Sequence, residues 1–285
     1  RETKIKGLSC LFTLRHPDHG GEFFGTEEER VLINQAVLEA GADIIDMEWG
    51  TEALVAMAGK NAPIVISHHD FKAMPSIEVL EELTSEMESF YPDAIKVVPT
   101  SSTLAHSVQM LQWVGNRTRD IARIGFAMGQ KGTCSRIMTT VYGAPITYAS
   151  FGDAVAPGQL SMDALINCYR VSELNDGCLV YGVAGKDVNH SRELEVMNQQ
   201  LKKKQLNAVC IPLESLELDE LLVVLEDLKI KGIQLENPLK EIAIDKFYGS
   251  GSFPGTSVFM EISSLNGKQE INIHPISGEK FVEHL

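Results

Sequence analysis

The chain has 285 residues, of which 44% are hydrophobic and 22% charged, a composition typical of a globular protein with a buried core. Its net charge of −14 argues against nucleic-acid binding, and no apolar run approaches the ~18 residues of a membrane span, although a few arginines in one cleft could still bind a small anion. The five cysteines are scattered and lack metal-ligand spacing, which indicates a reduced, cytoplasmic setting.

Short apolar runs alternate with helical stretches from residue 7 to about 170. The pattern predicts strands at 7–15, 42–49, 63–69, 94–100, 121–128 and 145–150. It predicts helices at 26–41, 51–60, 76–90, 102–114, 134–141 and 161–171. Six βα units in succession suggest a (β/α)8 TIM-type barrel whose first two units are missing, and a doubly wound sheet fits the periodicity almost as well.

A polar, turn-rich stretch at 172–178 predicts a domain boundary, so we expect domains at 1–173 and 177–285. The second domain is predicted to be a smaller α/β unit that ends in a weakly patterned part with a hairpin turn at 265–268. Its predicted strands are 178–185, 207–213 and 231–235, and its helices 192–204 and 218–230. Because the first residue is Arg1, we expect a piece of a longer protein.

Two side chains on predicted strands suggest chemistry. Alternation places Lys96 on the face shared by Ala94 and Val98, where a buried amine with a lowered pKa would suit a Schiff base. The alternative is an edge lysine that reaches solvent. His68 and His69 point to opposite faces, and His69 is nearer the carboxyl end of its strand, where barrel enzymes place catalytic groups. It suits a general acid/base, and the alternative is a structural histidine.

Other polar residues are weaker candidates when each is considered alone. Arg15 ends the first strand and Arg136 follows a glycine-containing loop, so either could bind a carboxylate through two hydrogen bonds, unless both are simply solvated. Glu48 ends a strand and is a candidate for substrate binding or for supporting another side chain. Gln159 follows a turn.

Together these segments resemble type I 3-dehydroquinate dehydratase over roughly residues 7–170. The matching motifs stand in the order and spacing of that family: FTLR at 12–15, GGE at 20–22, IDMEW at 45–49, ISHHDF at 66–71, IKVVPT at 95–100, AMGQKGTCSR at 127–136 and APGQL at 156–160. The resemblance implies syn elimination of water from 3-dehydroquinate, with Lys96 as Schiff-base lysine and His69 as acid/base. It also implies that the substrate is bound by Arg15, Arg136 and Gln159, and that the reaction requires neither a metal nor a cofactor.

Three features depart from that family. His19 stands where a glutamate usually partners the catalytic histidine, so His19 is the candidate partner of His69. Val155 replaces a frequent serine. The first two strands, which normally contribute a glutamate and an arginine, are absent, and we expect truncation of the sequence.

From about residue 177 the chain resembles the substrate-binding half of shikimate dehydrogenase. YGVAGKDVNHSRE at 181–193 and KGIQLENPLKE at 231–241 carry the resemblance, which places Ser191 and Lys240 on that family's site. Arg192, Glu236 and Pro275 replace its second serine, its threonine and its catalytic aspartate. We therefore expect a degenerate or incomplete dehydrogenase domain that is inactive, with NADP relevant only if a complete dehydrogenase half exists outside this chain.

The combined prediction is a cytoplasmic dehydroquinate dehydratase in a shikimate-pathway fusion protein that acts on a small molecule. A homodimer is left open. The alternative is a non-catalytic regulator of the quinate-repressor type that binds dehydroquinate or quinate.

Overall fold

The computed structural model describes residues 7–60, 62–116, 120–152, 158–249, 253–265 and 268–284. The chain divides into two compact units, one of Arg1–Pro99 with Asn116–Gly125 and one of Thr100–Gly115 with Phe126–Leu285. The domain boundary expected near residues 173–177 stays a prediction.

The first unit contains a parallel five-stranded sheet whose strands follow the chain order. These strands are β1 (Leu11–Thr13), β2 (Ile44–Glu48), β3 (Ile64–Asp70), β4 (Ala94–Pro99) and β5 (Ala122–Gly125). Its helices are α1 (Glu27–Glu39), α2 (Glu52–Ala58) and α3 (Ile77–Glu88). All five predicted strands up to residue 128 are confirmed; four are shorter than their apolar runs, and β3 has the predicted length but is shifted by one residue.

Each of the three helices in this unit begins at a side chain that caps it. Thr26 and Glu29 form a reciprocal capping box at the start of α1. Thr51 and Ser76 accept hydrogen bonds from backbone N–H groups in the first turns of α2 and α3. Because these caps satisfy N–H groups that the helix leaves open, they explain why the helices start where they do.

Strand alternation separates apolar from polar side chains within the first sheet. One face of the central strands carries the apolar residues Ile45, Met47, Ile64, Ile66, Ile95 and Val97, all 3% exposed or less, and half-buried His68 follows them on this face near the end of β3. The other face carries the polar side chains Asp46, Glu48, Ser67, His69 and Lys96. The fold therefore gathers ionisable groups from three neighbouring strands on one face.

The predicted strand at 145–150 is wrong. Within this segment only Ser150 forms a β-bridge, with Ser161, and residues 145–149 are exposed or half-buried. A strand within a parallel sheet is buried on both faces, whereas these side chains are not, so the segment lacks the packing that would hold it in the sheet. The predicted helix at 161–171 includes a π-helix, Ala164–Cys168. The first sheet thus has five described strands, and closure into a (β/α)8 barrel stays a prediction.

The second unit contains a mixed five-stranded sheet in the order β10-β9-β8-β6-β7. Its strands are β6 (Leu179–Gly185), β7 (Ala208–Glu214), β8 (Ile230–Leu235), β9 (Val258–Leu265) and β10 (Lys268–His274). Strands β6, β7 and β8 are parallel, whereas β9 and β10 form the antiparallel hairpin predicted at residues 265–268; Asn266 and Gly267 lie outside the described residues.

The helices of the second unit cover both faces of its sheet. They are α4 (Leu104–Gly115), α5 (Thr133–Met138), α6 (Arg192–Lys203), α7 (Leu218–Val224), α8 (Leu239–Ala243) and α9 (Gly278–Glu283). Leu111 of α4 and Ile137 of α5 share a hydrophobic core with Val209 and Ile211 of β7. The helices that precede the predicted boundary therefore pack in the same core as the second sheet. No helix in the described ranges is long and apolar enough to cross a membrane.

Candidate active site

Lys96 and Asp46 form a buried ion pair on the polar face of the first sheet. Strand register aligns Lys96 of β4 with Ser67 of β3, and Lys96 is only 5% exposed. Its Nζ lies 3.1 Å from Asp46 Oδ2. Burial alone would raise the pKa of Asp46, but the positive charges of Lys96 and Arg15 lower it below its ordinary value. An exposed edge lysine, the alternative at this position, is therefore wrong.

Arg15 connects this ion pair to His69. One guanidinium nitrogen lies 2.9 Å from Asp46 Oδ1, and the other lies 2.9 Å from His69 Nε2. The hydroxyl of Ser67, which is fully buried, donates to the same Asp46 oxygen. Asp46 thus accepts from three side chains, which is how a buried carboxylate remains ionised.

The GGE motif fixes the backbone of Arg15. Phe23 N–H donates to Arg15 O at 3.0 Å, and Gly21 N–H donates to His16 O at 3.0 Å, so the loop folds back over the end of β1. A Cβ atom at Gly21 would overlap the Arg15 carbonyl. Glycine is required here because the two backbones approach so closely.

His69 is held neutral by its surroundings. Burial, followed by the positive charges of Arg15 and Lys96, lowers the pKa of His69 from 6.5 to about 2, although Asp46 opposes the shift. A neutral imidazole can accept the hydrogen bond from Arg15. The His69 ring stacks on Phe71 with ring centroids 6.1 Å apart.

His68 has different neighbours, as strand alternation predicts. Burial lowers its pKa, Asp70 opposes this effect, and the charge of His19 lowers the pKa further. His19 itself lies in a short 3-10 turn, Pro17–His19. The structure thus brings His19 into electrostatic range of His68, while Arg15 and Phe71 contact His69. A partnership of His19 with His69 stays a prediction.

Glu48 lies behind Arg15 and is fully buried. Its carboxylate forms an ion pair with Arg30, also fully buried, accepts from His16 N–H at 3.2 Å, and lies 3.7 Å from Arg15 Nε. These contacts suit a role in orienting Arg15, and direct substrate binding by Glu48 stays a prediction.

Three residues of this site were missed from the sequence: Asp46, Ser67 and Arg30. A signal for Asp46 existed, because Asp46 and Glu48 are spaced by two in a strand that is otherwise apolar, and this spacing puts both carboxylates on one face. No local signal marks Arg30, which lies on a helix and meets Glu48 only through tertiary packing.

Arg136 and Gln159 belong to the second unit. Arg136 in α5 is 3% exposed, its guanidinium carbon lies 4.4 Å from the centre of the Phe126 ring, and burial lowers its pKa from 12.5 to about 10. No carboxylate of the described chain forms an ion pair with Arg136, and its Nε has no hydrogen-bond partner there. A buried guanidinium in this condition is suited to an anionic ligand.

Ser191 and Lys240, the two residues predicted for a dehydrogenase site, contact different groups. Ser191 Oγ is 2.6 Å from Glu236 Oε1 and 2.9 Å from Glu193 Oε2, whereas Lys240 Nζ donates to Thr256 O at 3.2 Å. Ser191 instead lines a cavity of about 650 Å³ that also includes Gln159. Arg192 is the first residue of α6, Pro275 follows β10, and Val155 lies outside the described residues.

Fold and site together define an α/β protein with a buried amine, its carboxylate partner and a neutral imidazole on one face of a parallel sheet. Residues 1–176 match the sequence profile of the family described as Type I 3-dehydroquinase. The chain belongs to this family.

Curated relatives extend the likeness beyond the profile match. The 3-dehydroquinate dehydratase of Dehalococcoides mccartyi is 34% identical over 179 residues, which is 60% of this chain and 79% of that protein. The chloroplastic bifunctional 3-dehydroquinate dehydratase/shikimate dehydrogenase of Arabidopsis thaliana is 29% identical over 248 residues, which is 85% of this chain and 41% of that protein. This chain therefore spans less than half of the plant enzyme, and the alignment continues past residue 176.

Solved structures show the same fold. A 3-dehydroquinate dehydratase from Geobacillus kaustophilus is 26% identical with a TM-score of 0.51, and covers 55% of this chain and 65% of its own. The Clostridium difficile type I enzyme with covalently modified comenic acid is 25% identical with a TM-score of 0.52, and covers 57% and 68%. The dehydroquinate dehydratase and shikimate dehydrogenase structure from S. pombe is 24% identical, has a TM-score of 0.51, and covers 93% and 52%, so it shows the fold alone.

Proposed function

We propose that this chain supplies the 3-dehydroquinate dehydratase activity of a shikimate-pathway fusion protein, by syn elimination of water through a Schiff base on Lys96. The observation that carries the proposal is the buried Lys96–Asp46 ion pair, with a neutral His69 on the adjacent strand. Family membership and the names of the relatives support it.

Lys96 forms the covalent intermediate. The Lys96 ammonium first passes one proton to the neutral His69, and the freed amine attacks the substrate ketone. His69 then returns that proton to the carbinolamine hydroxyl, which leaves as water, so that an iminium replaces the carbonyl. The iminium is cationic, and the ionised Asp46 at 3.1 Å remains as its counter-charge. Because the iminium withdraws electrons from the neighbouring carbon, it acidifies the C–H bond there and serves as the electron sink without a cofactor.

His69 moves the proton. It removes the proton from the carbon next to the iminium carbon, and the electron pair forms an enamine. That pair then expels the β-hydroxyl, which leaves as water with the same proton, and hydrolysis releases the product and the Lys96 amine. In the free protein, Arg15 donates a hydrogen bond to His69 Nε2. When Arg15 turns toward the substrate, its charge depresses the pKa of His69 less, which makes His69 a better base.

Arg15, Arg136 and Gln159 bind the carboxylate and hydroxyls of the substrate in this proposal. The buried guanidinium of Arg136, which forms no ion pair with the described carboxylates, supports its role as the carboxylate ligand. Glu48 orients Arg15. The cytoplasmic location, the homodimer and the support of His69 by His19 stay predictions.

The C-terminal part is proposed to lack dehydrogenase activity in this chain. Glu236 and Glu193 flank Ser191, and two carboxylates there repel a carboxylate substrate. NADP binding would need a complete dehydrogenase half outside this chain. The comparisons give no support to the alternative of a non-catalytic regulator.

The test is borohydride trapping. The full-length protein is incubated with dehydroquinate and borohydride, weighed by mass spectrometry and digested for peptide mapping. We expect one adduct on Lys96 and turnover of dehydroquinate. The matched control, Lys186→Met, removes an exposed lysine and should keep the adduct. Tight binding with neither adduct nor turnover would favour the regulator.

A further inference from the structure

The loop that leads into the Arg136 helix is held by side chains from the C-terminal part of the chain. This loop comprises Gly129–Gly132 and directly precedes α5. Asn189 Nδ2 lies 2.7 Å from Gln130 Oε1, and Lys131 Nζ lies 2.6 and 2.8 Å from the two oxygens of Glu220. Asn189 and Glu220 belong to the shikimate-dehydrogenase-like region, yet both bind the motif that carries the dehydratase arginine.

The loop transmits such contacts to Arg136 because it is tightly packed. A Cβ atom at Gly132 would overlap the Ala127 carbonyl. Ser107 Oγ donates to Lys131 O at 2.7 Å, and Ser135 Oγ donates to Gly132 O at 2.6 Å. A loop without free space cannot absorb a displacement at residue 131 locally, so the displacement reaches α5.

Glu220 is the centre of this network. It accepts hydrogen bonds from Lys131, from Leu104 N–H at 2.9 Å and from Ser215 Oγ at 2.5 Å. Burial alone would raise the pKa of Glu220, but these donors lower it below its ordinary value, so the carboxylate is charged at neutral pH. Two of its three partners lie before residue 132, in the dehydratase-like sequence.

We propose that Glu220 and Asn189 are positioning residues for the dehydratase, because they hold the Gly129–Gly132 loop in the conformation that presents Arg136 to the carboxylate of the substrate. The C-terminal region then supports the dehydratase site whether or not it has chemistry of its own. This inference rests on the proposed function.

The decisive comparison uses two neighbouring residues of α7 in the full-length protein. Glu220→Gln removes the charge that holds Lys131, whereas Asp219→Asn breaks an exposed ion pair with Lys246 (2.7 Å) that does not touch the loop. For Glu220→Gln we expect KM for dehydroquinate to rise about tenfold while kcat changes less than about threefold, because substrate binding suffers and the Lys96 chemistry remains. Asp219→Asn should match the wild type.

Two further variants test the same contact. Glu220→Asp keeps the carboxylate, so its KM for dehydroquinate should lie between the values of the wild type and of Glu220→Gln. In a double-mutant cycle of Lys131→Met and Glu220→Gln, the double variant should be no worse than the poorer single variant, because both remove one interaction. Asn189→Ala should raise KM in the same direction. Urea unfolding of each variant separates a binding defect from a global loss of stability.

Equal KM values for Glu220→Gln and Asp219→Asn would overturn the inference, as would a loss of kcat that follows unfolding. Dehydroquinate binding by calorimetry separates this result from failure of the proposed function. If the wild type binds dehydroquinate but neither converts it nor forms an adduct, the dehydratase proposal is wrong. In that case, weaker binding of dehydroquinate by Glu220→Gln than by the wild type would still support the role of the loop contact. A wild type that does not bind dehydroquinate overturns both.

Discussion

The two sheets of this chain hold charged side chains in opposite ways. On the first sheet, Asp46 and Lys96 are buried and joined by an ion pair, and Arg15 completes the network. On the second sheet, Ser191 meets two carboxylates, while the lysine predicted to work with it bonds a backbone carbonyl elsewhere.

This difference is the reason for proposing chemistry on the first sheet. A buried charge is costly, and an ion pair in its place is often no more stabilising than apolar residues of the same volume. A buried Lys–Asp–Arg network therefore points to a role other than stability.

The largest effect is expected for Lys96→Met. The variant lacks the amine that forms the iminium, so turnover should fall by at least about a thousandfold, and borohydride should no longer trap an adduct. Steady-state kinetics and mass spectrometry measure both. Turnover within tenfold of the wild type would show that Lys96 is not the nucleophile.

The two adjacent histidines should differ in the same assay. His69→Ala should slow turnover by about a hundred- to ten-thousandfold, the usual contribution of a positioned acid/base. His68→Ala, the matched control on the opposite strand face, should cost less than about threefold. Equal losses from both variants would contradict the placement of His69 on the catalytic face.

The contrast between buried and exposed ion pairs appears in stability. Asp46→Asn removes the carboxylate that pairs with the buried Lys96 and leaves Arg15 with only Glu48, so it should lower the free energy of unfolding by about 3–5 kcal/mol. Glu261→Gln breaks the half-exposed pair with His274 on the second sheet and should cost at most about 1 kcal/mol. Urea unfolding measures the loss in free energy of unfolding for both variants. Equal losses would mean that burial of an ion pair does not determine its contribution to stability.

Much of this architecture is predictable from local patterns, whereas the contacts between segments are not. The five strands of the first sheet and the roles suggested for Lys96 and His69 follow from alternation and strand ends. Asp46 was missed although its spacing with Glu48 was visible. The strand at 145–150 failed because an apolar run does not reveal whether a neighbouring strand is free to pair.

Some contacts leave no trace in a single sequence. Arg30 reaches Glu48 from a helix, and Glu220 reaches Lys131 across 89 residues of chain. Their side chains look like ordinary solvated charges because only tertiary packing brings them to their partners. Periodicity reports the face of an element and not what packs against it.

The lowered pKa of His69 predicts a dependence of stability on pH. The unfolded chain binds a proton at His69 below pH 6.5, whereas the folded protein keeps it neutral down to about 2. Folding stability should therefore fall as the pH drops below 6.5, by up to roughly 1.4 kcal/mol per pH unit from this group alone. Urea unfolding between pH 7 and 5 should show a shallower slope for His69→Phe. Parallel slopes would show that His69 is not held neutral.

The smallest effect is expected on the second sheet. Lys240→Ala removes a side chain that donates to the Thr256 carbonyl, so it should change dehydroquinate turnover by less than about twofold and stability by less than about 0.5 kcal/mol.

Glu236→Thr, which restores the residue of the related dehydrogenases, removes one of the two charges beside Ser191 but brings Lys240 no acid partner. It should therefore not create NADP-dependent oxidation of shikimate, which is followed by the absorbance of the reduced nicotinamide. If the unaltered full-length protein oxidised shikimate and Lys240→Ala abolished this oxidation, the second sheet would retain a working site. The contrast between the two regions would then be wrong.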